Sequence, residues 1–146
     1  MFGIRLGYYS EDPELAYQID SLCDFAEDLT PKFEAYVLPF LLQGKLGNAR
    51  TWQTDFWDRH IEVIEERLFQ HGKKFIVGTE RPTIADFKMF APVSLALKVN
   101  SASVVPTDIQ EQVMSKIQAN PYYFRWVDCM TRELSYYLQE RPPCPF

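Results

Sequence analysis

PELAYQIDSLCDFAEDLTPKFEAYVLPFLLQ, residues 13–43, is the stretch that sets the fold. Leu15, Ile19, Leu22, Ala26, Leu29, Phe33, Tyr36 and Phe40 follow one another here in alternating steps of four and three. Such a rhythm lays one apolar seam along an α-helix. Asp12 ahead of Pro13 supplies an N-cap and a first-turn proline, and Gly44 with Gly47 ends the run, so one helix is expected over about residues 13 to 43. Pro31 removes a ladder hydrogen bond in its middle. The seam stays in phase beyond it, which predicts a bend and not a break.

Working outward, the same period recurs. Residues 52–71 carry a stripe of Trp57, Ile61, Ile64 and Leu68 stopped by Gly72. Thr83 with Asp86 three residues on forms a capping box ahead of Phe87, Phe90 and Val93, and Pro92 should bend that helix. Thr107 with Gln110 suggests a second box before Ile109, Val113 and Ile117. Asn120 and Pro121 open a last helix whose stripe is Tyr123, Val127, Met130, Leu134 and Tyr137. The strand-like Phe75-Ile76-Val77 is too short to found a sheet. An all-α bundle of about five helices with a long, bent first helix is the expected fold.

Composition narrows the partners. The 146 residues hold 15 Lys+Arg against 20 Asp+Glu, a formal charge of -5, and include 22 aromatic residues, counted as 11 Phe, 8 Tyr and 3 Trp. A chain so rich in aromatics packs a core instead of remaining disordered, and its length suits one domain. Its acidity and lack of a Lys/Arg cluster argue against nucleic acid and against an anionic membrane surface. The longest uncharged apolar stretch, 89–97, is far short of a membrane span, and residues 1–10 carry no export signal, so no membrane insertion is expected. Cys23, Cys129 and Cys144 are odd in number and lack C-x-x-C spacing, which suggests a reducing compartment: the cytoplasm, with the mitochondrion as alternative. His60 and His71 are eleven residues apart on one predicted helix, too far to share a metal, so no metal site is expected.

Phe75-Ile76-Val77-Gly78 followed by Pro82-Thr83-Ile84-Ala85-Asp86-Phe87 resembles the signature of the glutathione S-transferase C-terminal helical domain. Leu6-Gly7-Tyr8-Tyr9, Asp12-Pro13, Asp20-Ser21-Leu22 and Glu27-Asp28-Leu29 resemble the approach to that domain's first long helix. The closing run Tyr137-Leu138 to Arg141-Pro142, ending Pro145-Phe146, resembles its tail in sigma-like and mu-like members. The resemblance implies a segment 1–11 like the remnant of a preceding thioredoxin-like domain, then a helical domain over 12–146. In that family the thioredoxin-like half holds glutathione and activates its thiol. With no counterpart of it here, no cofactor is expected, glutathione only if that domain is present.

On the family's pattern Asp28 falls where an acid reaches the glutamyl amine of glutathione, although Asp20, Asp24 and Asp28 at steps of four also read as a solvated or interface face. Tyr36, Leu38 and Phe40 fall where the first helix walls the hydrophobic co-substrate pocket, and Phe146 ends a tail that drapes near it. Some classes place a tyrosine ten residues after the acid, and Leu38 stands there instead. Tyr36 and Phe40 also lie on the core seam, so packing competes with ligand contact. Thr83 and Asp86 read as structural capping residues, with no catalytic residue among these candidates. Cys144, between prolines, is the thiol to test for reactivity.

The function these readings favour is a non-catalytic glutathione S-transferase-like domain, acting as an interaction module or structural subunit with a protein partner or as a homodimer. The alternatives are a fragment or divergent member of a true transferase, conjugating glutathione, and a carrier of hydrophobic ligands.

Overall fold

In the computed structural model, residues 2–43, 45, 47–48, 51–97 and 106–140 are described. Among them are seven α-helices, one π-helical segment and no strand. Helix α1 (Phe2–Arg5) is a single turn, and α2 is the long helix Pro13–Gln43. The π-helical segment Thr51–Asp58 runs into α3 (Arg59–His71), followed by α4 (Ile84–Ala96) and α5 (Thr107–Gln118). Helices α6 (Pro121–Glu133) and α7 (Ser135–Glu140) close the described chain.

Helix α2 starts as its sequence dictates: the Asp12 carboxylate accepts the Leu15 N–H at 2.9 Å, and the Asp12 carbonyl accepts that of Ala16 at 2.8 Å. It continues through Pro31 and Pro39 to residue 43. Ile19, Leu22, Ala26, Leu29, Phe33 and Tyr36 are all buried, so the seam is the core-facing side. Phe40 belongs to α2, but its side chain lies outside the described residues, as do Gly44 and the whole tail 141–146 with Cys144 and Phe146. The Gly47 N–H reaches back to the Tyr36 carbonyl at 3.1 Å, and a Cβ there would sit 2.3 Å from the Ala35 carbonyl oxygen. Only glycine fits so close an approach.

The second helix departs from expectation. Residues 51–58 are wound as a π-helix, and Trp52, Phe56, Trp57 and then His60 all turn inward. At the α-helical 100° per residue, Trp52 would stand about half a turn away from Ile61. The wider π turn takes up that offset. Gly72, at φ 61°, ends α3 in the left-handed conformation, its N–H bonded to the Leu68 carbonyl.

Two further boundaries need correction. Thr107 is the first residue of α5 and not its cap; Pro106 holds that place, and no side chain caps the helix, so the box with Gln110 does not form. The last predicted helix divides at Leu134 (φ -97°, ψ 8°), which shifts the phase: Leu138 is buried and Tyr137 is exposed. Phe75-Ile76-Val77 is a buried turn, closed by the Gly78 N–H on the Phe75 carbonyl.

Helix α4 packs between α2 and α6, while α2 also packs on the π-helical segment and α6 on α3, α5 and α7. An unusual cap joins two of these: the Glu65 carboxylate of α3 accepts the Tyr122 and Tyr123 N–H groups at 3.3 and 2.5 Å. It thereby supplies negative charge to the first turn of α6 from another helix. Residues 8 and 9 bind the bundle through three contacts. The Tyr8 carbonyl accepts the Ile84 N–H at 2.9 Å, the Tyr8 ring meets Phe87 edge-on, and the Tyr9 hydroxyl donates to Asp20 at 2.7 Å.

Candidate functional site

A cavity of about 280 Å3 lies between α2 and α4. Ala26, Leu29, Phe33, Val37 and Leu38 form its α2 wall, Met89, Ala91, Pro92 and Leu95 its α4 wall, and Phe56 with His60 its far end. Its existence follows from local sequence. Its α2 wall includes the small side chain of Ala26, and its α4 wall that of Ala91 beside Pro92, which leave room that larger residues would fill.

Four polar side chains reach this space, and three are already engaged. The Thr30 hydroxyl donates to the Ala26 carbonyl at 2.9 Å. Lys88 is ion-paired with Glu27, which raises its ammonium and lowers the Glu27 carboxyl through their shared hydrogen bond. His60 is 1% exposed and uses both ring nitrogens at 2.8 Å: Nε2–H donates to the Met89 carbonyl, and Nδ1 accepts the Tyr123 hydroxyl proton. Because a carbonyl can only accept, the proton must sit on Nε2. Burial holds His60 at about 4, so it is neutral at pH 7, with the Met89 bond acting weakly the other way. Glu34, the fourth, is exposed at the rim and makes no ion pair among the described residues.

The proposed wall residues are only partly brought together. Leu38 lines the cavity and is 42% exposed. Tyr36 does not line it: the ring is buried further along the same seam, stacked on Trp52 with centroids 4.3 Å apart. Phe40 and Phe146 lie outside what the structure describes at side-chain level. Asp28 is exposed and lines no part of the cavity, and no step through glutathione follows from its surroundings.

Thr83 and Asp86 form the capping box of α4, with the Thr83 N–H on Asp86 Oδ2 at 2.8 Å. The Thr83 hydroxyl donates to the same oxygen at 2.9 Å. Oδ1 is equally engaged, accepting the Ile76 N–H at 3.1 Å and the Trp126 indole N–H at 3.0 Å. Asp86 is fully buried, and that burial raises its carboxyl against the opposing pull of the four donors. One carboxylate thus pins the 75–77 turn, the start of α4 and the middle of α6 together. The Thr-x-x-Asp spacing reveals the hold on the start of α4; nothing local in the sequence reveals the other two.

A second, more open groove, about 570 Å3, lies where α3 meets α5 and α6, between Glu62, Glu66, Phe69 and Tyr122. Cys23 and Cys129 are free thiols and half-buried; burial raises Cys23, as suits an unreactive thiol. Among the described residues no three His, Cys, Asp or Glu side chains cluster as a metal site, and no helix is long and apolar enough to cross a membrane. Comparison with models of protein families, with curated proteins and with solved structures finds no match to this chain.

Proposed function

We propose that the chain is a glutathione S-transferase C-terminal-like helical domain that works by binding, as an interaction module or structural subunit of a complex. One observation carries this reading. Ile4, Leu6 and Tyr8 follow one another at every second position of one exposed segment, and the hydrogen bond from the Ile84 N–H to the Tyr8 carbonyl brings residue 8 of that segment beside exposed Ile84 at the start of α4. Leu6 is 64% exposed and belongs to no part of the apolar core among the described residues. Neighbouring apolar side chains left in water mark a surface that another protein covers, a different chain or a second copy. The free thiols of Cys23 and Cys129 support a reducing compartment, the cytoplasm, with the mitochondrion as alternative.

The test compares the wild-type chain with the double variant Leu6→Glu/Ile84→Glu. Both side chains are exposed, so the two proteins should melt alike. Self-association in sedimentation, or a complex captured from source cells, should be present for the wild type and absent for the variant. Identical behaviour of the two chains would refute the reading.

The cavity favours a second reading, a carrier of small hydrophobic ligands. Its walls are apolar, and its size approaches the lower end of small-molecule sites. A neutral naphthalene-type fluorophore should bind with blue-shifted emission, and Ala91→Trp, at an exposed position on the rim, should abolish the signal without changing the melt.

A further inference from the structure

Resting on the carrier reading, we infer that the cavity between α2 and α4 selects hydrophobic amines: ligands with an apolar body of about ten to fifteen non-hydrogen atoms and a protonated nitrogen that meets Glu34. The size follows from the volume. A cavity of about 150 Å3 holds one benzene ring, so about 280 Å3 suits a fused bicycle or a medium alkyl chain.

The charge follows from what the wall leaves available. Thr30 is bonded to the Ala26 carbonyl, Lys88 is paired with Glu27, and His60 has both nitrogens occupied and is neutral. Of the polar groups at the cavity, Glu34 alone makes no ion pair or hydrogen bond among the described residues, and it offers only acceptor oxygens. Lys88 is neutralised by its partner Glu27, so Glu34 leaves the three groups a net formal charge of -1. An ammonium placed there gains a charge-assisted hydrogen bond without breaking an existing one. An incoming carboxylate would have to take Lys88 from Glu27 and sit beside Glu34. Leu38, one turn beyond Glu34 on the same face, gives the ligand an apolar edge on which to lie as its nitrogen reaches the rim.

Three matched probes test this: 1-naphthylmethylamine, 1-methylnaphthalene and 1-naphthoate, titrated against the full chain at low and high salt. The amine should bind about fivefold tighter than the neutral probe and at least tenfold tighter than the acid at low salt, as suits one partly exposed ion pair. Raising the salt should shrink that preference. Glu34→Gln, an exposed position whose change should leave the melt intact, should bring the amine to the affinity of the neutral probe. Equal binding of all three probes, or a preference for the acid, overturns the inference and leaves the carrier reading standing. Failure of every probe, the neutral one included, overturns both.

Discussion

Removing the Asp86 carboxylate should be among the most damaging single changes in this chain, and the size of the loss separates two accounts of that residue. A capping box alone is worth about 0.5–2 kcal/mol. Asp86, however, is fully buried and accepts four hydrogen bonds, from the Thr83 N–H, the Thr83 hydroxyl, the Ile76 N–H and the Trp126 indole. In Asp86→Ala the hydroxyl can rotate to another acceptor, whereas three N–H donors cannot. A buried donor left unsatisfied costs about 1–3 kcal/mol. Since the three share one site and water can enter the vacated space, about 3–6 kcal/mol is expected for the whole. Thr83→Ala is the control, since it removes only the hydroxyl and leaves all three N–H bonds in place; it should cost about 0.5–2 kcal/mol. Urea titrations followed by tryptophan fluorescence and far-UV circular dichroism measure both, provided the slopes with denaturant agree. If Asp86→Ala costs no more than Thr83→Ala, the carboxylate is only a helix cap, and the three-way junction drawn here is wrong.

Three further outcomes follow from the same contacts. Burial holds His60 at about 4 against an ordinary value of 6.5, so the unfolded chain takes up a proton that the folded chain refuses as the pH falls between those values. Folding stability should therefore drop by about 2 kcal/mol between pH 7 and pH 5, and His60→Gln should lose that component. Asp86, raised by burial, acts in the opposite sense and is common to both chains, so the difference between them isolates His60. Trp126→Phe should cost about 2–4 kcal/mol, since it takes a donor from Asp86, while Trp57→Phe should cost about 1 kcal/mol less, because the Trp57 indole N–H has no acceptor to lose among the described residues. With glutathione and an aromatic halide, the chain alone should show no turnover above the uncatalysed rate; appreciable conjugation would restore the transferase reading.

How far the sequence carries can be stated residue by residue. The α2 seam from Ile19 to Tyr36 is readable because burial and helical period coincide there, and Asp12, Gly72 and Pro121 are readable because each end obeys its own local chemistry. Trp52 and Phe56 escape the period because it assumes 3.6 residues per turn and the π-helical winding does not supply it. The Thr107 box fails because Pro106, with its fixed φ, already occupies the cap position. At the site, Leu38 lines a cavity whose other wall, Ala91, Pro92 and Leu95, comes from another helix, a pairing that no local spacing in the sequence shows. The Asp86 junction is half legible for the same reason: its capping partner is three residues away, whereas Ile76 and Trp126 are ten and forty away.

The central claim is that the surface of Ile4, Leu6, Tyr8 and Ile84 is covered by another protein. Sedimentation velocity of the wild-type and Leu6→Glu/Ile84→Glu chains, each purified and each recovered from source cells, tests it most directly. A species larger than one chain for the wild type, reduced to the single chain in a variant that melts at the same temperature, is the predicted result. Two chains that sediment alike as monomers across the concentration range, and that emerge from cells equally unaccompanied, would contradict it.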